Sequence, residues 1–80
     1  MKVYITKYAL SDGILERTLV KADARMAVVE RPESINDRDY FHGKDWHYSL
    51  EDAQARAREM RDKRLKNLRK QIKKLEAMEW

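Results

Sequence analysis

The sequence predicts an α+β fold: a three- to four-stranded antiparallel β-meander, followed by one long C-terminal amphipathic α-helix packed on the sheet. Three observations support this prediction. Apolar and polar side chains alternate with period two over residues 2–30, as they do in half-buried strands. Turn-forming residues interrupt the alternation twice. Residues 49–80 contain no Gly or Pro and consist mainly of strong helix formers.

Length and composition indicate a single domain spanning residues 1–80. Eighty residues support one small core, and 40% of them are charged against 42% hydrophobic. The sequence has no Cys, which excludes disulfides and thiolate metal sites and fits a reducing compartment. No apolar run reaches the length of a secretory signal core or of a membrane span. We therefore expect a cytoplasmic protein with no membrane contact.

The β-meander is assigned to residues 2–30. Val3 and Ile5 occupy alternate positions of the first segment, which is rich in β-branched and aromatic residues. A turn at Ser11–Gly13 follows, because Gly13 can adopt positive φ without a Cβ clash. Asp23 opens the second tight connection. The three predicted strands are residues 2–8, 14–22 and 25–30.

Residues 31–48 are predicted to form a polar loop and then an aromatic corner. The loop, residues 31–39, holds the single Pro together with Ser, Asn and Asp residues, and should end the meander. Residues 40–48 concentrate aromatic side chains around Gly43. This segment is either a short fourth strand with a turn or an ordered loop. In both cases we expect Phe41, Trp46 and Tyr48 to fill the corner between sheet and helix.

The corner also contains His42, Asp45 and His47, the one group that resembles a chemical site. Two imidazoles and a carboxylate could hold a divalent metal ion, but this spacing matches no specific metal motif. We expect the two His residues to be half-buried polar partners of the aromatic rings. The sequence has no Cys nucleophile, no Gly-rich phosphate loop and no G-x-S-x-G motif. We therefore predict a non-enzymatic protein with no cofactor, metal ion or small-molecule substrate.

The long helix has a well-marked start. Ser49 is the predicted N-cap, and Asp52 three residues later completes a capping box in which Asp replaces Glu. Glu51 and Asp52 also place negative charge at the positive end of the helix dipole. About 30 helical residues span roughly 45 Å, whereas a compact domain of this size has a radius of gyration of about 12 Å. The helix should extend beyond its sheet.

The apolar side of this helix changes character along its length. Ala53, Ala57 and Met60 are small or flexible and should pack on the sheet. Further on, four residues follow a 3-4-3 spacing and form what we call the apolar seam: Leu65, Leu68, Ile72 and Leu75. This seam either contacts a partner, with a homodimer as the expected case, or is covered by strands folded beneath the whole helix.

The opposite side of the helix forms a basic arc. Residues 49–80 contain ten Lys/Arg and six Asp/Glu, whereas residues 1–48 contain eight of each, so the whole net charge of +4 lies on the helix segment. The members of the basic arc are Arg56, Lys63, Lys66, Arg69, Lys70, Lys73 and Lys74. Glu59 is the one acid among them. The arc is either a solvated surface or a binding surface for an acidic protein or a nucleic-acid backbone. Because it lacks aromatic residues, nucleic-acid contact would involve phosphates and be independent of base sequence.

Four segments of the chain resemble a group of short proteins from bacteriophages and other bacterial mobile elements. They are K-V-Y-I-T-K-Y-A-L at residues 2–10 with Gly13-Ile14, Y-F-H-G-K-D-W-H-Y-S at 40–49, A-x-A-R-A-x-E-M-R-x-K at 53–63, and L-x-K-Q-I-x-K-L-E at 68–76. The resemblance covers about two-thirds of the chain, with little in residues 18–39. It implies a genomic setting rather than particular site residues. Small non-enzymatic proteins of that setting often inhibit host defence, as anti-CRISPR proteins do, by covering a nucleic-acid-binding or partner surface.

Overall fold

The computed structural model describes residues 1–80, apart from the side chain of Ile35. It contains a five-stranded antiparallel sheet followed by one long helix, so the predicted α+β class is confirmed with a higher strand count. The strands are β1 (Lys2–Ile5), β2 (Leu15–Ala22), β3 (Met26–Arg31), β4 (Ser34–His42) and β5 (Trp46–His47). The helices are the single-turn α1 (Ala9–Asp12) and α2 (Leu50–Glu76), and a 3₁₀ turn (Gly43–Asp45) lies between β4 and β5.

The strand order in the sheet is β4-β3-β2-β1-β5, with every neighbouring pair antiparallel. β4 and β5 are therefore opposite edges. In a flat sheet four strand spacings would separate them by about 19 Å. His42 at the end of β4 and Trp46 at the start of β5 are four residues apart, and an extended chain covers at most about 14 Å over that length. The sheet must therefore curl, bringing its two edge strands towards each other.

The hydrophobic core lies inside this curl. Cross-strand partners such as Ile5 with Leu15, Ile5 with Trp46, and Ala27 with Phe41 project from the same face of the sheet. Trp46 and Phe41 come from the two edge strands, yet both belong to one buried cluster. The cluster consists of Val3, Ile5, Ala27, Val29, Phe41 and Trp46, with Leu15 and Leu19 packed against it.

A β-bulge in β2 changes which residues of that strand face the core. Leu19 pairs with Val29, whereas Lys21 pairs with Val28, so Val20 is an extra residue with no partner across the ladder. Since Val28 and Val29 project from opposite faces, Lys21 lies on the face opposite to Leu19. A simple alternation predicts that both share one face, and the bulge makes that prediction wrong.

The predicted loop at residues 31–39 is wrong. β4 occupies Ser34–His42 and forms a hairpin with β3 around a turn at Pro32 and Glu33. Arg31 Nε donates to Asp39 Oδ1 at 2.9 Å across this hairpin. The polar residues of this segment predict a loop because Asn and Asp are rare in strands. They are tolerated here because β4 is an edge strand.

The connection between β1 and β2 is longer than the predicted turn. β1 ends at Ile5, and α1 forms the single helical turn Ala9–Asp12 before β2 begins at Leu15. Gly13 has φ +79°, so the prediction of a positive-φ glycine at this position is confirmed. The helical turn arises because the backbone N–H groups of Ser11 and Asp12 both donate to the carbonyl of Tyr8.

α2 begins where the capping residues predict. The backbone N–H of Asp52 donates to Ser49 Oγ at 3.1 Å, which confirms Ser49 as the N-cap. The helix ends at Glu76, so the predicted extent of 49–80 is too long at its C-terminal end. The first turns contact β1, β5 and α1, and Ala53 is fully buried there. This end of the helix positions the rest of it relative to the sheet.

Candidate interaction surface

The second half of α2 extends away from the sheet. Met60 is the last residue of the helix that is partly buried, and every residue from Arg61 to Trp80 is exposed. The principal extents of the protein are 57 × 24 × 19 Å, and its radius of gyration is 16.7 Å, against about 12 Å for a compact chain of this length. Residues 61–76, which we call the projecting half of α2, add about 24 Å of free helix. The prediction that the helix extends beyond its sheet is confirmed.

The apolar seam lies entirely on this projecting half. Its side chains are 38% to 64% exposed, with Leu68 the least and Leu75 the most. On a helix of 3.6 residues per turn, the seam is rotated by roughly 75° from the stripe formed by Ala53, Ala57 and Met60 that faces the sheet. The strands do not fold beneath the whole helix, because the seam is both beyond the sheet and turned away from it.

The structure divides the basic arc into one residue at the sheet and six in solvent. Arg56 is half-buried, its Nη1 donates to Glu59 Oε1 at 2.9 Å, and within the described part of the chain its buried Nε has no hydrogen-bond partner. Arg56 therefore belongs to the junction between helix and sheet. The other six side chains are exposed on the projecting half, and none of them forms an ion pair with any residue that the structure describes: Lys63, Lys66, Arg69, Lys70, Lys73 and Lys74.

A groove between α1 and α2 lies next to the start of the seam. Tyr8 and Leu10 line one wall, and Met60 and Leu65 line the other, around a volume of about 550 Å³. Tyr8 and Leu10 are 43% and 50% exposed. The rim is cationic, with contributions from Lys7, Arg61 and Arg64. Leu65 belongs to both the groove and the seam, so the two form one continuous apolar surface.

The groove was not predicted from the sequence. Tyr8 and Leu10 lie in a segment assigned to the end of a strand and a turn, and their exposure depends on α1. Two large apolar side chains separated by one residue, next to turn residues, were the available signal. The second exposed feature that the sequence reading missed is Trp80, which is fully exposed together with a half-exposed Met78.

The side chains of the aromatic corner contact other residues of the fold. The Trp46 and Tyr48 rings meet edge to face, with centroids 4.9 Å apart. His47 Nε2 lies 3.2 Å from the buried Thr6 Oγ1, whereas His42 is exposed near Asp23 at the β2–β3 turn. The two His residues thus have different neighbours. Among the described residues there is no group of three or more His, Cys, Asp or Glu positioned to hold a metal ion.

Comparisons of the chain with protein-family models, curated proteins and solved structures give no match. Within the described part of the chain, neither helix combines the length and the apolar character that spanning a membrane requires.

Proposed function

We propose that this is a non-enzymatic binding protein whose contact surface for its target is the basic arc on the projecting half of α2. The observation that carries the proposal is the state of the six exposed cations: they lie on a helix segment clear of the sheet, and no described residue neutralises them. Like charges at i,i+3 and i,i+4 on a helix are destabilising by a few tenths of a kcal/mol per pair. An acidic partner removes that repulsion on binding, which favours the complex.

The proposed target is an acidic protein surface of a host defence complex of the CRISPR type, in the cytoplasm of a bacterial host cell. The resemblance of residues 2–10, 13–14, 40–49, 53–63 and 68–76 to proteins of bacteriophages and mobile elements supports this choice of target. The shape supports a mechanism by occlusion. A helix segment of about 24 Å that projects beyond its own sheet can lie along a groove or channel of the target and block it.

Binding to a nucleic-acid backbone is the second candidate function. The favouring observation is again the six unpaired cations, which follow one another at helical spacing over about 16 Å. Such a row contacts phosphates without reading bases, and its affinity falls steeply with salt because bound counterions are released.

One set of capture experiments from host lysate distinguishes the two candidate functions. The test variant carries Lys66→Glu, Arg69→Glu, Lys70→Glu and Lys73→Glu. A matched control carries the same charge change at exposed cations outside α2: Lys2→Glu, Lys21→Glu, Arg25→Glu and Lys44→Glu. We expect the wild type and the control to retain one defined host complex after nuclease treatment, and the arc variant to lose it. The activity of that complex should fall when the wild-type protein is added.

Other outcomes favour different conclusions. Material that is lost on nuclease treatment, together with retardation of duplex or single-stranded oligonucleotides at low salt, would support the nucleic-acid function instead. Equal capture by the arc variant and the wild type would contradict both functions, because both depend on the basic arc. Circular dichroism of each variant checks that the helix is retained.

A further inference from the structure

The apolar surface along α2 is larger than a monomer of this size normally exposes. It comprises the seam, the walls of the α1–α2 groove, and Met78 and Trp80, which are 43% and 106% exposed. Monomeric proteins rarely expose contiguous apolar patches above a few hundred Å². Eight large apolar side chains of this surface are each at least about 40% exposed. Their combined exposed area approaches the roughly 800 Å² that one partner contributes to a standard protein interface.

We propose that a second copy of this chain covers this surface, with the two α2 helices antiparallel and a two-fold axis crossing them at the level of Lys70. In this register Leu65 faces Leu75 of the second copy, and Leu68 faces Ile72 of the second copy. All four seam positions are then paired with seam positions, as a and d residues are in an antiparallel coiled coil. A two-fold interface of this kind uses the same patch on both chains.

The same register also fills the groove. Residues facing each other across the axis have numbers that add up to about 140, so residues 78–80 of the second copy lie over Met60 and the groove wall. The indole of Trp80 supplies an apolar group of suitable size, and Glu79 approaches the cationic rim at Arg61. Trp80 cannot reach the groove of its own chain, because the continuous helix holds the two about 25 Å apart. One arrangement thus accounts for the seam, the groove and the exposed C-terminal apolar residues.

A parallel arrangement fits these observations less well. In a parallel pair the residues flanking the seam meet with an offset of five positions, which brings Arg64 of one copy against Arg69 of the other. Like charges meet in both arrangements, because a two-fold axis at the level of Lys70 brings Arg69 of the two copies together in the antiparallel pair, so this contact does not decide between them. In the parallel pair the C-terminal residues of both copies would lie together, far from either groove, so Trp80 and the groove would both stay uncovered.

The antiparallel pair leaves the proposed binding surface free. The sheet of each copy packs on the first turns of its own α2, and in the antiparallel register these turns lie at opposite ends of the pair, so the two sheets do not collide. The basic arc is centred almost opposite the seam, so its members other than Arg69, which flanks the seam, stay exposed on both copies. Self-association therefore does not depend on the proposed target, and it presents two basic arcs instead of one.

Light scattering tests the association directly. Because two heptads make a short interface, the measurement should extend from roughly 1 µM to 1 mM protein. We expect the mass to rise from 9.6 kDa towards twice that value.

Ile72→Glu, in the centre of the seam, should keep the protein monomeric throughout this range. Lys70→Glu is the matched control on the opposite side of the same helical turns, and it should dimerise like the wild type. A wild-type mass that stays at the monomer value at 1 mM overturns the proposal.

Cysteine pairing tests the orientation, since the natural sequence has no Cys to interfere. Leu65→Cys and Leu75→Cys are prepared as separate proteins, oxidised alone and oxidised as a mixture. In the antiparallel pair, position 65 lies opposite position 75, so disulfide-linked dimers should form in the mixture. Two copies of position 65 are about 15 Å apart in that arrangement, beyond the roughly 7 Å that a disulfide can bridge. Efficient linkage of Leu65→Cys with itself overturns the antiparallel arrangement.

Discussion

Thr6 is the buried polar residue that connects the end of β1 to the turn before β5. Its backbone N–H donates to the Asp45 carbonyl at 2.8 Å, and its Oγ1 donates to the Lys44 carbonyl at 3.0 Å. Since the hydroxyl has one proton, the His47 ring at 3.2 Å acts as the donor of the remaining bond. These bonds hold β5 against β1, although β5 is only two residues long.

We expect Thr6→Val to destabilise the protein by about 1–3 kcal/mol, because it keeps the side-chain shape but leaves the Lys44 carbonyl and the His47 imidazole, both part-buried, without their partner. Urea unfolding measures the difference. The control is Thr18→Val on β2, where the hydroxyl meets the exposed Lys2 Nζ and the expected change is below about 0.5 kcal/mol. Equal stability losses in the two variants would contradict this role of Thr6.

Asp23 makes the stability contributed by the tight β2–β3 turn dependent on pH. The backbone N–H groups of Arg25 and Met26 donate to Asp23 Oδ1 at 2.7 and 2.9 Å and lower the pKa of this carboxylate below 3.8, with a smaller contribution from the charge of His42. Because the pKa is lower in the folded state, the stabilisation is complete above pH 3.8. It is lost as the pH falls through the folded-state pKa.

The NMR titration of the Asp23 carboxyl carbon should therefore have its midpoint below pH 3.8. Asp23→Asn removes the charge but keeps a side-chain acceptor. Its deficit in unfolding free energy relative to the wild type should be largest above pH 3.8 and should shrink as the pH falls below that value. A deficit that is constant between pH 2 and pH 7 would show that the charge of Asp23 does not contribute.

At the scale of elements, the start of α2 could be predicted from local chemistry because the signal is local. The Ser49 hydroxyl satisfies the N–H of Asp52 within the same turn. Substitution by Ala should cost about 1 kcal/mol, whereas Ser49→Asp should retain most of the stability, because a carboxylate caps equally well. Unfolding midpoints of the two variants and the wild type provide the measurement, and an Ala variant as stable as the wild type would show that this cap contributes nothing.

β4 could not be predicted in the same way. Its residues Asn36, Asp37 and Asp39 have low strand propensity, and only pairing with β3 makes the segment a strand. Charged residues on an exposed edge also discourage pairing with other sheets. The β2 bulge at Val20 has a similar cause, since an unpaired residue is defined by the register of its neighbour and not by its own sequence. Long-range pairing determines both features.

At the scale of the whole molecule, the sequence predicts that α2 extends beyond the sheet and that its apolar side changes from small residues to the seam, since both follow from helical periodicity. It does not predict the curl of the sheet, which depends on the short connection from His42 to Trp46 and on which strands are edges. The groove depends on the same tertiary arrangement, because α1 has to meet α2 beside β1. The seam and the basic arc follow from the sequence, whereas the proposal that a second copy covers the seam depends on the groove and on Trp80.

The shape of the pair in solution distinguishes the possible arrangements without any substitution. A single chain is 57 Å long. In the antiparallel register the two copies overlap over residues 60–80, or roughly 30 Å, and their sheets lie at opposite ends. The expected maximum dimension is therefore roughly 80–85 Å. A parallel pair sets the sheets side by side and stays close to the length of one chain.

Small-angle scattering of the wild type measures this maximum dimension, at a concentration where light scattering gives the dimer mass. A value near 60 Å would contradict the antiparallel arrangement, and Ile72→Glu provides the reference curve of the monomer.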